Sequence, residues 1–139
     1  MKIIADTNLL VRLAVDDDPH QRRVAAAAVA EAEAVIVSRH AICEMIWGLG
    51  QSYGFSKPEI AAAVQRLCGI EKVVLDRAAV NAGLAAMEAG ADFADGVIAY
   101  EGRWLGGEVF VSFDKKAVAA IAEPGDESQV APLSQRRLG

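Results

Sequence analysis

Short apolar runs, separated by longer alanine-rich segments, set the pattern of the chain. Four of these runs are rich in β-branched residues and do not alternate with polar residues; they lie at 3–5, 35–37, 73–75 and 109–111. Such runs are typical of strands that are covered on both faces. Strands that alternate with helical segments predict an α/β domain with a mostly parallel central sheet of four to five strands.

Capping residues and apolar stripes predict the helices between these strands. Asp18 followed by Pro19 indicates a helix start, and Ser56 and Glu59 have the spacing of a capping box. An apolar stripe that ends before Gly54 marks the helix between them. Helices are expected from 18 to about 33, from about 40 to 53, from 56 to about 69, and at 77–89, 93–104 and 115–122, with an edge strand near residue 130.

Composition narrows the class of protein. The chain has 139 residues, 53% of them hydrophobic and 24% charged, which is enough for one domain with a core. No apolar run reaches the roughly 20 residues of a membrane span, and Asp6 interrupts any leader-like apolar stretch. Cys43 and Cys68 lie far apart, outside any CxxC pattern, which favours free thiols in the cytoplasm. The net charge of −5 argues against binding nucleic acid by bulk charge.

Four acidic residues stand alone in apolar surroundings. Asp6 is the only acid before residue 16, and Glu44 is the only charged residue between positions 40 and 57. Asp95 is the only charge in residues 93–100, and Asp114 follows the fourth strand. Because the helix around Glu44 is apolar nearly all round, we expect it to be largely buried. An unpaired carboxylate in such surroundings is costly, so four of them suggest a common cause.

The topology of a parallel sheet offers a common cause for the four isolated acids, because ligands bind beyond the carboxyl ends of its strands. Asp6 and Asp114 follow strands directly, and Glu44 and Asp95 lie near helix starts that could face the same edge. Carboxylates about 5 Å apart repel by roughly 3 kcal/mol at an effective dielectric near 20. A divalent cation relieves that repulsion, and oxygen-only ligands favour Mg²⁺ or Mn²⁺ over zinc. Metal-dependent phosphodiester hydrolysis is the expected chemistry.

At this point four segments together resemble a known family, the PIN domain. They are residues 3–8 (IIADTN), the helix that carries Glu44, residues 91–99 (ADFADGVIA) and residues 111–116 (VSFDKK). The nearest resemblance is to the VapC ribonuclease toxins of bacterial type II toxin–antitoxin pairs, and it spans about residues 2–133. It implies a PIN-like α/β/α sandwich over 1–133, followed by a loose tail at 134–139.

The resemblance also implies an activity, a site and partners. It implies a Mg²⁺- or Mn²⁺-dependent endoribonuclease, usually a homodimer, that acts on RNA and is inhibited by a cognate antitoxin. By motif position the catalytic and metal-binding acids are Asp6, Glu44, Asp95 and Asp114, with Asn8 and Ser112 as polar supports. In two places the chain departs from the usual pattern: Gly96 stands where Ala is common, and Ser112 where Thr is common.

Each acid also has an ordinary structural interpretation. Asp6 could close a strand as a turn acid, and Glu44 could pair with Arg12 or Arg39. Asp92 could cap a helix, with Asp95 as the acid three residues on, which would leave Asp92 as a cap or a support of the site. For Asp114 the alternative is an N-cap paired with Lys115 or Lys116, and for the Asp16–Asp17–Asp18 triplet it is a solvated loop and helix cap.

Other residues and functions are weighed in the same way. Trp47 and Trp104 are expected in the core or at a dimer contact rather than as base-stacking platforms. His40 lies one turn before Glu44 and could touch the site, but we do not expect it to. A haloacid-dehalogenase-like phosphatase needs a second Asp where Asn8 stands. A receiver-like domain needs an adjacent acid pair that is absent at Asp6. A PIN-like binding protein with little turnover stays open.

Overall fold

A computed structural model describes residues 1–121 and 130–132. The chain divides into two compact units, Met1–Arg77 and Ala78–Gly139. The expected tail at 134–139 lies outside the described residues, and the single domain expected over 1–133 stays a prediction. Among the described residues, no helix combines the length and the apolar character that a membrane span requires.

The first unit is built on a three-stranded parallel sheet in the order β1-β2-β3. The register aligns Ile3 with Val35 and Val35 with Val73. Its elements in chain order are β1 (Lys2–Ile4), α1 (Thr7–Ala14), α2 (Pro19–Glu31), β2 (Ala34–Ile36), α3 (Arg39–Tyr53), α4 (Lys57–Cys68) and β3 (Val73–Val74).

Helix boundaries in this unit follow the caps that the sequence encodes. The Asp18 carboxylate accepts from the Gln21 backbone N–H, and Pro19 opens α2. Ser56 and Glu59 form a reciprocal capping box at the start of α4. Gly54 ends α3 in the left-handed conformation, with φ of 67°, which costs a residue without a Cβ little.

Large aliphatic side chains from the helices and from β2 fill the core of the first unit. Its most fully buried side chains are Leu10, Val35, Ile42, Met45, Leu49 and Val64. The sheet face that carries Val35 and Val73 is buried, whereas Ile4 and Val74 on the opposite face are 83% and 52% exposed. We expected these strands to be covered on both faces; within the first unit, one face of the sheet is covered.

The second unit combines three helices with two strands and has a core of small residues. It contains α5 (Arg77–Glu88), whose first residue lies at the boundary, α6 (Phe93–Trp104), β4 (Phe110–Ser112), α7 (Lys115–Ile121) and β5 (Val130–Pro132). Strands β4 and β5 pair in parallel. Part of the buried core is a cluster of Ala86, Ala91, Ala99, Ala117 and Ile121, with Phe110 and Ala120 packed against it.

Glycines allow α5 and α6 to approach closely. A Cβ on Gly83 would lie 2.6 Å from the Phe93 ring, and a Cβ on Gly96 would lie 2.3 Å from the Ala82 carbonyl oxygen. The second contact is to backbone, which cannot rotate away as a side chain can. The departure from the family pattern at Gly96 therefore has a packing reason in this chain.

The structure confirms the predicted fold class and most of the predicted helices and strands. The five strands of the described residues pair in parallel, as a three-stranded and a two-stranded sheet, and the chain is α/β with the predicted strands and helices in the expected order. Helix α6 spans the 93–104 range expected for it. Helix α1 was not predicted, although Asp6 as N-cap and the buried Leu10 and Val11 are its signals.

The close approach of α5 and α6 predicts opposite effects for two glycine substitutions in α6. Gly96→Ala should lower the free energy of unfolding by about 1–3 kcal/mol, because the new methyl group meets the α5 backbone. Gly102→Ala, where a Cβ would meet nothing within 4 Å, should raise stability by up to about 1 kcal/mol. Thermal and urea unfolding of both variants measure this; equal stability of the two would contradict the packing described.

Candidate active site

Asp6 connects the end of β1 to the start of α1. Its backbone is extended (φ −86°, ψ 174°), and its Oδ1 accepts from the Leu9 backbone N–H at 2.9 Å, so Asp6 is the N-cap of α1. The side chain is exposed at the carboxyl end of a parallel strand. The alternative of an acid that closes a strand is thus geometrically correct. It does not exclude a ligand role, because a carboxylate has two oxygens with several acceptor positions.

Glu44 lies on α3, and two neighbours hold both of its oxygens. The Thr7 hydroxyl donates to Oε2 at 2.8 Å, and His40 Nε2 lies 2.5 Å from Oε1. The Thr7 hydrogen bond and, after it, the positive charge of His40 lower the pKa of the Glu44 carboxyl below its ordinary value. Because Thr7 follows Asp6 directly, this bond places the Glu44 carboxylate beside the Asp6 turn.

The expectation that the helix around Glu44 is largely buried holds for one face of α3. Glu44 lies on another face, and its side chain is 52% exposed. The buried positions of α3 are Ala41, Ile42, Met45, Ile46 and Leu49. Thr7 and His40, rather than the lack of a partner in an apolar interior, define the electrostatic environment of Glu44.

The two arginines proposed as partners of Glu44 have other contacts. Arg12 bonds to Asp17 Oδ1 and to the Tyr53 hydroxyl, both at 2.5 Å. Arg39 Nε lies 3.5 Å from Asp76 Oδ2. Arg12 therefore ties α1 to the following loop and to the end of α3, which is a structural role.

Thr7 is a neighbour of Glu44 that sequence reasoning missed, and His40 is one that it weighed and did not expect. Thr7 stands inside the first motif, yet only its neighbours Asp6 and Asn8 were assigned roles. His40 and Glu44 are four residues apart on one helix, a spacing at which side chains meet. That spacing was the available signal for His40, whereas the Thr7 contact joins distant parts of the chain and has no local signal.

In the second unit, Asp95 is partly buried in the first turn of α6. Its Oδ2 accepts from the Asp92 backbone N–H at 3.2 Å, so the expected capping arrangement is present. Burial raises the pKa of the Asp95 carboxyl above its ordinary value, and the negative charges of Asp92 and Asp114 add to this shift, against the opposing effect of the Asp92 N–H. Burial and, to a smaller degree, the neighbouring acids thus disfavour the ionised form of Asp95.

Asp114 and Ser112 form a turn between β4 and α7. Asp114 Oδ1 accepts from the backbone N–H groups of Lys116 at 2.9 Å and Ala117 at 3.2 Å. The Asp114 N–H donates to Ser112 Oγ at 3.0 Å, so Ser112 fixes the backbone that presents this acid. Asp114 therefore caps α7, which confirms the cap in its structural alternative; the ion pair with Lys115 or Lys116 stays a prediction. Asn8, in the first turn of α1, is exposed.

The donor set fits a hard divalent cation. The candidate ligands are carboxylate oxygens, and the pKa of Asp95 is raised chiefly by burial and to a smaller degree by the charges of Asp92 and Asp114, which a bound cation would offset. Among the described residues, neither unit taken alone brings three His, Cys, Asp or Glu side chains together as a metal site. The first unit contributes Asp6 and Glu44, and the second contributes Asp95 and Asp114. The gathering of all four around one ion stays a prediction.

Two other features of the sequence receive structural roles. In the acidic triplet, Asp16 pairs with Arg22 at 3.2 Å, Asp17 pairs with Arg12, and Asp18 caps α2, in line with a solvated loop and helix cap. Trp47 is 68% exposed and Trp104 is 75% exposed. The interpretation of these tryptophans as core residues is wrong, because each projects from a helix position outside the buried stripe.

Comparison with known proteins identifies the family. The family model for the PIN domain matches residues 3–123, while no curated protein is similar enough to count as a match. Among solved structures, the sarcin–ricin-loop-cleaving toxin VapC20 of Mycobacterium tuberculosis matches with 17% identity and a TM-score of 0.41, covering 89% of this chain and 100% of that one. Because the family model matches well over half of the length of this chain, the chain belongs to the PIN domain family.

Proposed function

We propose that this chain is a Mg²⁺- or Mn²⁺-dependent endoribonuclease and the toxin of a type II toxin–antitoxin pair. One observation carries the proposal: within the PIN match, acids follow the parallel strands of each unit, Asp6 after β1 and Asp114 after β4. Glu44 lies in the helix that follows β2, and Asp95 is the acid with the raised pKa. Carboxylates so placed at strand ends are what a metal-dependent hydrolase requires.

The chain's own residues prepare the site in two ways. Thr7 and His40 hold the Glu44 carboxylate in its ionised form, ready to act as a ligand. Ser112 and the start of α7 fix the Asp114 carboxylate through backbone hydrogen bonds. When bound by Asp6, Glu44, Asp95 and Asp114, a divalent cation supplies Lewis-acid stabilisation of the charge on a phosphoryl group.

The proposed partners follow from the family and from the charge of the chain. With a net charge of −5, the chain must hold RNA through local contacts rather than through its overall field. We further propose a cognate antitoxin as inhibitor, a homodimer as the working form and the cytoplasm as the compartment. Neither Cys43 nor Cys68 is in a disulfide bond, which fits a reducing compartment.

Substitutions that keep the helix caps but remove the charge test the catalytic assignment. Asp6→Asn and Asp114→Asn preserve an N-cap side chain, because Asn caps about as well as Asp. Each should reduce Mn²⁺-dependent cleavage of a structured RNA by about 100-fold or more, while the melting temperature stays close to that of the unmodified chain.

The matched control is Asp16→Asn, which removes an exposed acid paired with Arg22. Its cleavage rate should equal that of the unmodified chain. Cleavage that persists in EDTA or in Asp6→Asn would contradict the proposed metal chemistry. Tight RNA binding without turnover in Mg²⁺ and in Mn²⁺ would favour the alternative of a PIN-like binding protein.

The pKa shifts predict which acid destabilises the metal-free protein. Asp95 has a raised pKa when folded, so its ionised form costs stability once the pH exceeds the ordinary Asp value of about 4. Asp95→Asn should therefore raise the melting temperature in EDTA at pH 7, and this gain should shrink as the pH falls towards 4. Glu44→Gln should give no gain, because the lowered pKa of Glu44 reflects favourable contacts.

Differential scanning fluorimetry across pH measures both effects, with Glu108→Gln as an exposed acid of the second unit for control. Added Mg²⁺ should stabilise the unmodified chain and leave Asp95→Asn unchanged. A fall in melting temperature for Asp95→Asn in EDTA would mean that Asp95 is a favourable structural acid rather than a repelled ligand.

A further inference from the structure

The exposed face of α3 carries three functional side chains in a row. His40, Glu44 and Trp47 are spaced by four and three residues, so they share one face of the helix. The His40 and Glu44 side chains are 83% and 52% exposed, and Trp47 is 68% exposed. The row therefore places a large aromatic ring one helical turn beyond the proposed catalytic acid.

Trp47 differs from every other large apolar residue of α3. The aliphatic residues of the helix are buried, and Tyr53 at its end accepts a hydrogen bond from Arg12. Besides Glu44, the exposed residues near Trp47 include the polar His40 and Gln51. Along α3, the exposed residues one turn from Trp47 are the polar Glu44 and Gln51, so the helix presents one aromatic ring rather than an apolar stripe, and this ring offers a face for one planar group.

A nucleobase is the planar group that the setting favours. Proteins recognise unpaired RNA by stacking splayed-out bases on aromatic side chains, and such stacking tolerates any base because each has a π-face. Residues three apart on a helix have Cβ atoms about 5–6 Å apart. A nucleotide stacked on Trp47 therefore has its own phosphates within reach of the surface around Glu44.

We propose that Trp47 stacks on an unpaired base of the RNA next to the bond that is cleaved, and so positions the substrate at the site. This inference rests on the proposed ribonuclease function and names the residue of α3 that contacts the substrate. A base inside an A-form helix is stacked on both sides, so a paired segment cannot present its face to Trp47.

The two-tryptophan composition of the chain allows a direct test by fluorescence. Trp104→Phe leaves Trp47 as the single reporter, and Asp6→Asn in the same chain blocks cleavage. A short unstructured oligoribonucleotide with a 5′ dye should quench Trp47 emission in a saturable manner. The same strand annealed to its complement should quench it far less. The anisotropy of the dye gives the Kd independently of the tryptophan signal.

Substitutions at Trp47 provide the second readout. Trp47→Leu should weaken binding of the oligoribonucleotide by about tenfold or more, and Trp47→Phe by only a few-fold, because a phenyl ring still stacks. Trp104→Leu is the matched control, since Trp104 is equally exposed but hydrogen-bonds to Tyr100 on α6. It should leave the Kd unchanged. Circular dichroism melts of all variants confirm that the fold is retained.

The outcomes separate this inference from the proposed function. If the chain cleaves RNA but Trp47 emission does not respond and Trp47→Leu binds normally, the stacking role is overturned and the nuclease stands. If Trp47→Leu converts a dimer to a monomer in light scattering, Trp47 covers a second copy of the chain and the stacking role is again overturned. If the unmodified chain neither binds nor cleaves any RNA, both proposals fall.

Discussion

Repulsion between carboxylates, and the groups that offset it, is the interaction on which the proposed site depends. In the first unit, contacts with Thr7 and His40 lower the pKa of the Glu44 carboxyl and so favour its ionised form. In the second unit, burial and the charges of Asp92 and Asp114 raise the pKa of the Asp95 carboxyl. The two acids therefore differ: contacts with Thr7 and His40 favour the ionised form of Glu44, whereas burial and the neighbouring acids disfavour the ionised form of Asp95.

Asp6 and Asp114 also build the local fold. Each therefore has a structural role as a helix cap beside its proposed role as a metal ligand. Asp6 caps α1, and Asp114 accepts from backbone N–H groups at the start of α7. A cap needs an oxygen acceptor, which Asn supplies as well, whereas a metal ligand of this class needs the negative charge. Folding and chemistry thus make separable demands on one side chain.

Local signals in the sequence were sufficient for most of the fold. Capping patterns at Asp18 and Ser56 located helix starts, and β-branched runs located four strands. Helix α1 is not predicted, because Asp6 is interpreted as a ligand or as the end of a strand and not as a helix cap. The exposed face of α3 is not predicted either, because apolar neighbours in sequence do not reveal which face of a helix is buried. Likewise, the Thr7–Glu44 bond spans 37 residues and has no local pattern.

The central claim is that acids of both units bind one divalent ion, and a Mn²⁺ titration followed by amide NMR tests it most directly. Paramagnetic Mn²⁺ broadens the signals of nearby amides. The account predicts that the amides of Thr7, Glu44, Asp95 and Lys116 broaden together at the same Mn²⁺ concentration, and that excess Mg²⁺ restores all four. Broadening confined to residues of one unit, or at clearly different concentrations in the two, would contradict it.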